Sequence, residues 1–472
     1  MNNKAKSVIK NLYYTVGANF ATLLISVLLN LFVPKILGVK EYSYWQLYVF
    51  YSSYVGFLHF GWIDGIYLKI GGEEYNDLDK RSLGSQYWYL LMLEVCFSLG
   101  ITMYTLFFVA HTNKSLILIL TACVSFITIA KTFIQYILQS TNRIREYAHL
   151  SRSDRYLYVV LLVIFFLFGG RTFSWLIIID IFSKLCVTIW GMYQIRDMLT
   201  IKLISLNKII KEIIDNISIG SKLMLSNIAS MLILGIIRFF VQNKWSIEVF
   251  GKLSFTLSIS NMFLTFINAI GVVMFPLLRR TNKDRIASLF LVLRTLFVPL
   301  TYFLLFFYIP IKEVLVIWLP QYSVSLMYMG ILFPMIIFEG RMSLLINTYL
   351  KTLRKEKYIL FVNVVTLSVS AIGGVVIVYL VQNLLLAVGL IIFCLALRCI
   401  LAEKILAGFL KINLNVQQAF EIVLALMFIL GNVFFTDILS FIAYTVCYVI
   451  YIIMFQRDIR KALSDFLLLV KS

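Results

Sequence analysis

Eight lysines and arginines stand inside stretches that are otherwise apolar: Lys131, Lys184, Lys222, Arg238, Lys252, Arg294, Arg341 and Arg398. Acids in comparable positions are fewer. Glu94, Asp180 and Glu339 lie well inside their stretches, while Asp64, Glu403 and Glu421 stand nearer the ends. An ionisable group in the middle of a membrane span costs about 2.5–3.5 kcal/mol on insertion scales, so such groups face a cavity or a partner. Arg294, Arg341 and Arg398 fall at similar depth on three different stretches. A guanidinium grips phosphate through a planar two-pronged fork, so three at one level form a candidate anion site. The competing reading makes Glu339 the counter-ion of one of them, a structural strut. Lys222, Arg238 and Lys252 lie near the ends of their stretches, where long side chains snorkel to the headgroups. Asp180 and Lys184 are four residues apart and share a helical face, which reads as an internal ion pair or, more sharply, as a cation or proton site. Glu94 is expected to face Lys131 from the neighbouring stretch. Asp180, Glu94, Glu339 and Asp64 are therefore the candidates for ion coupling or gating.

Nothing here points to catalysis. The chain has no H-E-x-x-H, no Walker A and no G-x-S-x-G string, and His59, His111 and His149 are scattered. All six cysteines fall in apolar runs and none forms C-x-x-C, so buried, inert thiols are expected rather than a disulfide or metal framework.

These residues need long apolar elements to hold them, and the composition supplies them. Of 472 residues, 61% are hydrophobic and 14% charged, with a mean hydropathy of +0.91. Soluble domains carry about 45–50% apolar and about 25% charged residues, so an ordinary soluble enzyme is excluded. About twenty apolar residues cross a bilayer as a helix. Fourteen stretches are candidates: 12–33, 47–68, 87–110, 115–138, 156–168, 173–195, 218–241, 250–278, 287–308, 323–347, 358–381, 384–403, 418–435 and 438–456. The apolar run from Leu12 is too long for a signal-peptide core and reads as a retained first helix behind Lys4, Lys6 and Lys10.

The net charge of +19 would suggest nucleic acid on a soluble chain. Here the basic residues alternate with the spans. With a cytoplasmic N-terminus, 28 fall in cytoplasmic segments and 6 in the opposite loops, namely Lys35, Lys40, Lys114, Arg171, Lys244 and Lys312. That asymmetry predicts the orientation, with both termini cytoplasmic, and excludes a nucleic-acid role. Tyr42, Tyr44, Trp45, Trp175, Trp245, Trp318 and Tyr322 form the expected aromatic belt on the other side. The segment 196–217 carries Ile210, Ile213, Ile214 and Ile217 opposite Lys208, Lys211, Glu212 and Asp215, and reads as a helix on the inner surface against anionic lipid. The stretch Ile459 to Val470 repeats that pattern.

At an offset of 208, Asn19 falls on Asn227, Ala21 on Ala229, Phe32 on Phe240, Val33 on Val241 and Asn30 on Arg238. Two six-span halves in one orientation follow, a build common in transporters. The expected fold is an all-α polytopic membrane protein of about fourteen helices. It has two six-helix lobes related by a parallel repeat, plus two C-terminal helices. The divisions are 1–217 for the N-lobe with its linker helix, 218–410 for the C-lobe, and 411–472 for the last two spans and an amphipathic tail.

Several strings carry a resemblance: LGVKEYSYWQL (37–47), GSKLMLSNIASML (220–232), FPLLRR (275–280), WLPQY (318–322) and NTYLKTLRKEK (347–357). In their order and placement the chain resembles the polysaccharide (O-antigen, Wzx-type) flippases of the multidrug/oligosaccharidyl-lipid/polysaccharide exporter superfamily. Ile237 stands before Arg238 where members often carry an acid, and Asp64-Gly65 is a compressed form of the acid-and-glycine end of the second span. The resemblance implies translocation of undecaprenyl-diphosphate-linked oligosaccharide across the bacterial cytoplasmic membrane for O-antigen, capsule or exopolysaccharide synthesis. It implies no enzymatic step and no cofactor, and a driving force from an ion gradient (H+ or Na+), the membrane potential or substrate supply. A polysaccharide polymerase and a chain-length regulator are the implied protein partners. On that reading Arg294, Arg341 and Arg398, with Arg238 and Lys222, hold the diphosphate, and Ser218, Ser221, Ser226, Asn227 and Ser230 offer hydroxyls and an amide to the sugars.

Two other readings compete. A cation-coupled multidrug exporter of the same superfamily predicts an acidic cavity, against which the basic surplus stands. A polymerase or ligase needs a large outer loop, and no loop on that side exceeds about 15 residues. The orientation is directly testable: a cysteine introduced in 279–286 is expected to be labelled from the cytoplasmic side only, and labelling from outside inverts the topology.

Overall fold

The computed structural model describes the backbone of residues 3–110, 112–280 and 286–471, and the side chains of residues 25–110, 112–265 and 286–467. The loop at 281–285, the side chains of FPLLRR, His111, Lys4, Lys6, Lys10, Asn19, Ala21 and Val470 lie outside those described residues. Among the described residues every regular element is helical. In order they are α1 (Asn3–Val55), α2 (Trp62–Lys69), α3 (Lys80–Phe108), α4 (Asn113–Ser140), α5 (Ile144–Leu167), α6 (Phe173–Gln194), α7 (Arg196–Leu199), α8 (Leu206–Lys244) and α9 (Ile247–Arg280). There follow α10 (Ile286–Phe303), α11 (Tyr308–Trp318), α12 (Ser323–Leu332), α13 (Met335–Arg341), α14 (Asn347–Thr352), α15 (Glu356–Val375), α16 (Leu384–Leu410), α17 (Asn415–Phe434) and α18 (Asp437–Lys471). The chain is a multi-pass membrane protein: nine helices among the described residues are long and apolar enough to cross a membrane, and a bent pair makes a tenth.

That number is below the fourteen stretches expected, although each stretch lies mostly on helical backbone. Helix α5 is apolar only in its second half; its first half carries Arg145, Glu146, Arg152, Asp154 and Arg155. The stretch 323–347 is bent by 45° at the break before Met335, where Pro334 interrupts the helical hydrogen bonds. Several expected boundaries dissolve. No loop separates the first stretch from the start of the second; α1 runs on from 12–33 to Val55 and kinks at Gly38, whose φ of 74° and ψ of 174° lie outside the helical region. Beyond the kink, Glu41 Oε2 accepts the backbone N–H of Phe173 at 2.8 Å and so caps the start of α6. From Leu206 onward the linker helix and the seventh span are one helix, α8, because no proline or glycine pair interrupts Ile213 to Lys222, while Arg196–Leu199 forms the separate short α7. The C-terminal amphipathic stretch likewise continues α18 rather than forming a separate tail.

The chain divides into two compact units, Met1–Ile228 and Ala229–Ser472. In the first, α4 is the central helix: just over half of its apolar window, 56%, is buried, and α1, α2, α3, α5 and α6 all pack on it. The outer helices expose their large apolar side chains, as α3 does with Phe107 and Phe108 and α5 with Leu167. Such surfaces belong in lipid. Outside the spans, Asp197 of α7 binds Lys80 Nζ at 2.8 Å and the Tyr75 hydroxyl at 2.7 Å. Partial burial pushes the Asp197 carboxyl up, but these two donors outweigh it and hold the group below its ordinary value.

The second expected span, 47–68, is broken. The helix ends at Val55, Phe60 and Gly61 turn with positive φ of 52° and 86°, and α2 begins at Trp62. The turn brings the backbone of α2 onto α8. Gly61 and Gly65 face Asn216, Gly220 and Ser221, so that a Cβ on Gly65 would meet the Asn216 carbonyl and one on Gly220 the Gly61 carbonyl. Gly61 and Gly65, four apart, meeting Gly220 and Ser221 on α8 supply the small surfaces that such a close crossing needs. Gly65→Ala and Gly220→Ala are each expected to cost about 1–3 kcal/mol, the usual cost of overpacking, and to lower the melting temperature of the purified protein. Gly389→Ala, whose Cβ meets nothing within 4 Å, is expected to leave it unchanged or slightly raised.

Candidate functional site

The buried charges of the second unit form two groups. Arg294 lies on the buried stripe of α10 with Phe290, Leu293 and Val298, and is 1% exposed. Its Nε donates to Glu403 Oε1 at 2.8 Å, one Nη to Glu421 Oε1 at 2.9 Å and the other to Gln417 Oε1 at 2.8 Å. Arg341, at the end of α13, bridges the same two carboxylates, 2.7 Å from Glu421 Oε2 and 3.2 Å from Glu403 Oε2. Gln418 Nε2 also donates to Glu403 Oε2, at 2.6 Å. Two guanidiniums and two carboxylates are thus sealed among α10, α13, α16 and α17. This differs from the expectation of forks open to an anion: the glutamates read as lying near span ends occupy them. The Nε and one Nη of Arg341 are buried without a hydrogen-bond partner among the described residues.

Arg398 stands apart. Its stripe on α16 (Leu395, Arg398, Cys399, Ala402) is buried, and its three nitrogens reach three helices. Nε donates to Asn363 Oδ1 of α15 at 2.9 Å, one Nη to Glu339 Oε1 of α13 at 2.8 Å, and the other to Ser230 Oγ of α8 at 2.7 Å. Arg398 is 4% exposed while the Glu339 side chain is 21% exposed, so this pair lies at the edge of the packed interior. Arg238 donates to Ser254 Oγ at 3.0 Å and lies over the Phe250 ring. Lys252 is half-buried. Lys222 belongs to the first unit, is exposed, and makes no ion pair among the described residues.

In the first unit, Lys184 Nζ and the Tyr48 hydroxyl both donate to Asp180 Oδ2, at 2.6 and 2.7 Å, so the i, i+4 pair is made and buttressed from α1. Trp45 stacks on Tyr158 nearby, with centroids 5.9 Å apart. Lys131 does not face Glu94: its ammonium binds Asp154 Oδ2 of α5 at 2.7 Å. Asp154 lies just outside the apolar stretch 156–168, on the charged first half of α5. The spacing of Asp154, Tyr158 and Leu162, all buried, was the available signal. Glu94 is fully buried and neither of its carboxyl oxygens has a hydrogen-bond partner among the described residues. Asp64, in the first turn of α2, is buried with His59, whose Nε2 is 3.8 Å from its carboxyl. Among the described residues no three His, Cys, Asp or Glu side chains converge on a metal-sized site.

Removing one partner from a buried ion network strands the other, at about 3–5 kcal/mol. Glu403→Gln and Arg294→Ala are each expected to lower membrane abundance and melting temperature by more than Glu339→Gln, whose side chain is partly exposed. Equal melting temperatures for all three variants would contradict the sealed network.

No protein-family model matches the sequence, and none of the curated proteins matches it. Solved structures do match in shape. The lipid II flippase MurJ in an inward closed conformation superposes with a TM-score of 0.66 at 12% identity, over 94% of this chain and 99% of that one. An inward-facing multidrug resistance MATE transporter of the MOP superfamily gives 0.60 at 13% identity, over 84% and 99%. An outward-facing MATE transporter gives 0.53 at 13% identity, over 85% and 96%. The chain therefore has the fold of the MOP-superfamily transporters, the fold that these multidrug exporters share with a lipid II flippase.

Proposed function

We propose that the chain is a flippase for undecaprenyl-diphosphate-linked oligosaccharide repeat units, serving the synthesis of a surface polysaccharide. The observation that carries this reading is the likeness to the lipid II flippase along 94% of the chain, beyond the 84% matched by the MATE exporter. The basic residues within the spans support an anionic substrate. A diphosphate headgroup moving between apolar helices needs cations to offset its lost hydration.

Arg398 is the residue best suited to that task. Its guanidinium is already balanced by a carboxylate that reaches solvent, so the substrate phosphate replaces Glu339 in a like-for-like exchange. Arg238 and Lys222 add positive charge along α8. Arg294 and Arg341, originally grouped with Arg398, keep their glutamates and hold the helices together. The protein works in the bacterial cytoplasmic membrane with both termini in the cytoplasm, and H+ or Na+ supplies the driving force. A polymerase and a chain-length regulator take over the product.

Arg398→Ala and Arg238→Ala are each expected to lower surface polysaccharide by about ten-fold or more at matched membrane abundance, the worth of one charge-assisted hydrogen bond. Full activity in both variants and in the double variant excludes the assignment. The second reading, a cation-coupled multidrug exporter, is favoured by the MATE likeness. It predicts drug resistance that survives Arg398→Ala.

A further inference from the structure

The buried acids of the first unit are not all matched. Asp180 has Lys184 and Tyr48, Asp154 has Lys131, and among the described residues Asp64 has only His59, whose Nε2 stands 3.8 Å away, beyond hydrogen-bond reach. Glu94 lies on the narrow buried stripe of α3, with Tyr87, Leu90 and Leu91, and is 0% exposed. Both of its carboxyl oxygens are buried without a hydrogen bond among the described residues.

α4 and α7 pack along α3, α2 and α8 reach its first turns through Trp62, Asn216 and Glu212 (the last paired with Lys69), and the Phe60–Phe97 ring contact brings up the turn before α2. Their titratable groups are engaged elsewhere or exposed. On α4, Lys131 binds Asp154, Tyr136 packs on Tyr67, Cys123 is exposed, and Lys114 stands at the far end of the helix. On α7, Asp197 binds Lys80 and Tyr75, and Arg196 lies over Tyr193. His59 accepts the Gly61 N–H through Nδ1 and turns its other nitrogen to Asp64. A bare carboxylate in such a place costs several kcal/mol, whereas the neutral acid is tolerated.

Glu94 also opens a line of hydroxyls. Ser98, Thr102 and Thr105 follow on the same face of α3 at steps of three to four residues. Ser98 Oγ donates to the Ala122 carbonyl of α4 at 2.5 Å and lies 3.0 Å from Ser125 Oγ. Thr102 and Thr105 donate back to the Ser98 and Ile101 carbonyls. The Thr121 hydroxyl, on the facing side of α4, is buried without a partner among the described residues.

We propose that Glu94 is a proton-binding site, a neutral carboxylic acid on the buried stripe of α3 in this conformation. As the coupling ion of transport that proton rests on the flippase reading; as a bound proton it does not, and the test reads the bound proton alone.

Dicyclohexylcarbodiimide adds to protonated carboxyls in apolar surroundings. The purified full chain in lipid nanodiscs is treated with it between about pH 5 and pH 9, the range that spans ordinary and raised carboxyl values, and adducts are mapped by mass spectrometry. Labelling of Glu94 at neutral pH is expected to exceed that of Asp154, Asp180 and Glu403, whose carboxylates are held in ion pairs. It is expected to fall as the pH rises. Glu94→Gln, a mimic of the neutral acid, is expected to abolish that adduct and to keep the wild-type melting temperature. Absence of a Glu94 adduct across the range overturns the proposal. So does suppression of the adduct by sodium but not by choline at fixed pH, which would make the site a metal-ion site. A clearly lower melting temperature for Glu94→Gln overturns it too, since the ionised form would then be structural.

Discussion

Charge buried between apolar helices must be answered by an opposite charge, a polar cage or a proton, and the interior of this protein is organised by that requirement. In the second unit Arg294 and Arg341 grip Glu403 and Glu421 with almost no exposure on any of the four. Four helices are thereby held in one register, because shifting any of them would strand a charge. The local backbone follows the same demand. Pro334 bends the chain before Arg341, and a wider π turn at Met342–Ile346 comes directly after it. Such turns re-aim side chains where a regular helix would not.

The same requirement separates struts from sites. A network such as that around Glu403 is charge-balanced and sealed from solvent, even though Arg341 keeps two unpartnered nitrogens among the described residues. A pair with one partner reaching solvent, such as Arg398 and Glu339, is neutral at rest and still open to exchange. On the proposed function, a transporter of an anionic headgroup needs both kinds. Permanent pairs keep apolar helices in place, and exchangeable ones lend positive charge without leaving it bare when the substrate is gone. The first unit follows a parallel logic with lysines, Lys131 to Asp154 and Lys184 to Asp180, and leaves Glu94 outside it.

Backbone contact is the second organiser. The crossing of α2 on α8 tolerates no side chain at Gly61, Gly65 or Gly220, and the turn at Phe60 and Gly61 is what delivers α2 to it. Gly220 opens one of the strings on which the family resemblance rests, and Gly38, where α1 kinks, belongs to another. Part of that resemblance therefore has a packing cause: these positions fix where helices bend and touch, whatever the substrate.

The sequence by itself determined that the chain is helical and crosses a membrane many times, and where nearly all of the helices lie. Hydropathy is a local property, and each span must satisfy its own backbone in lipid. It also determined the pairing of Asp180 with Lys184, since four residues on one helix are neighbours by geometry. The partners of Arg294, Arg341, Arg398 and Lys131 were decided only in the tertiary structure. Each lies on another helix, and depth along a span says nothing about which face meets which neighbour. For the same reason Glu403 and Glu421 looked peripheral, Asp154 looked like a loop residue, and the isolation of Glu94 could be seen only once Lys131 had found its partner elsewhere.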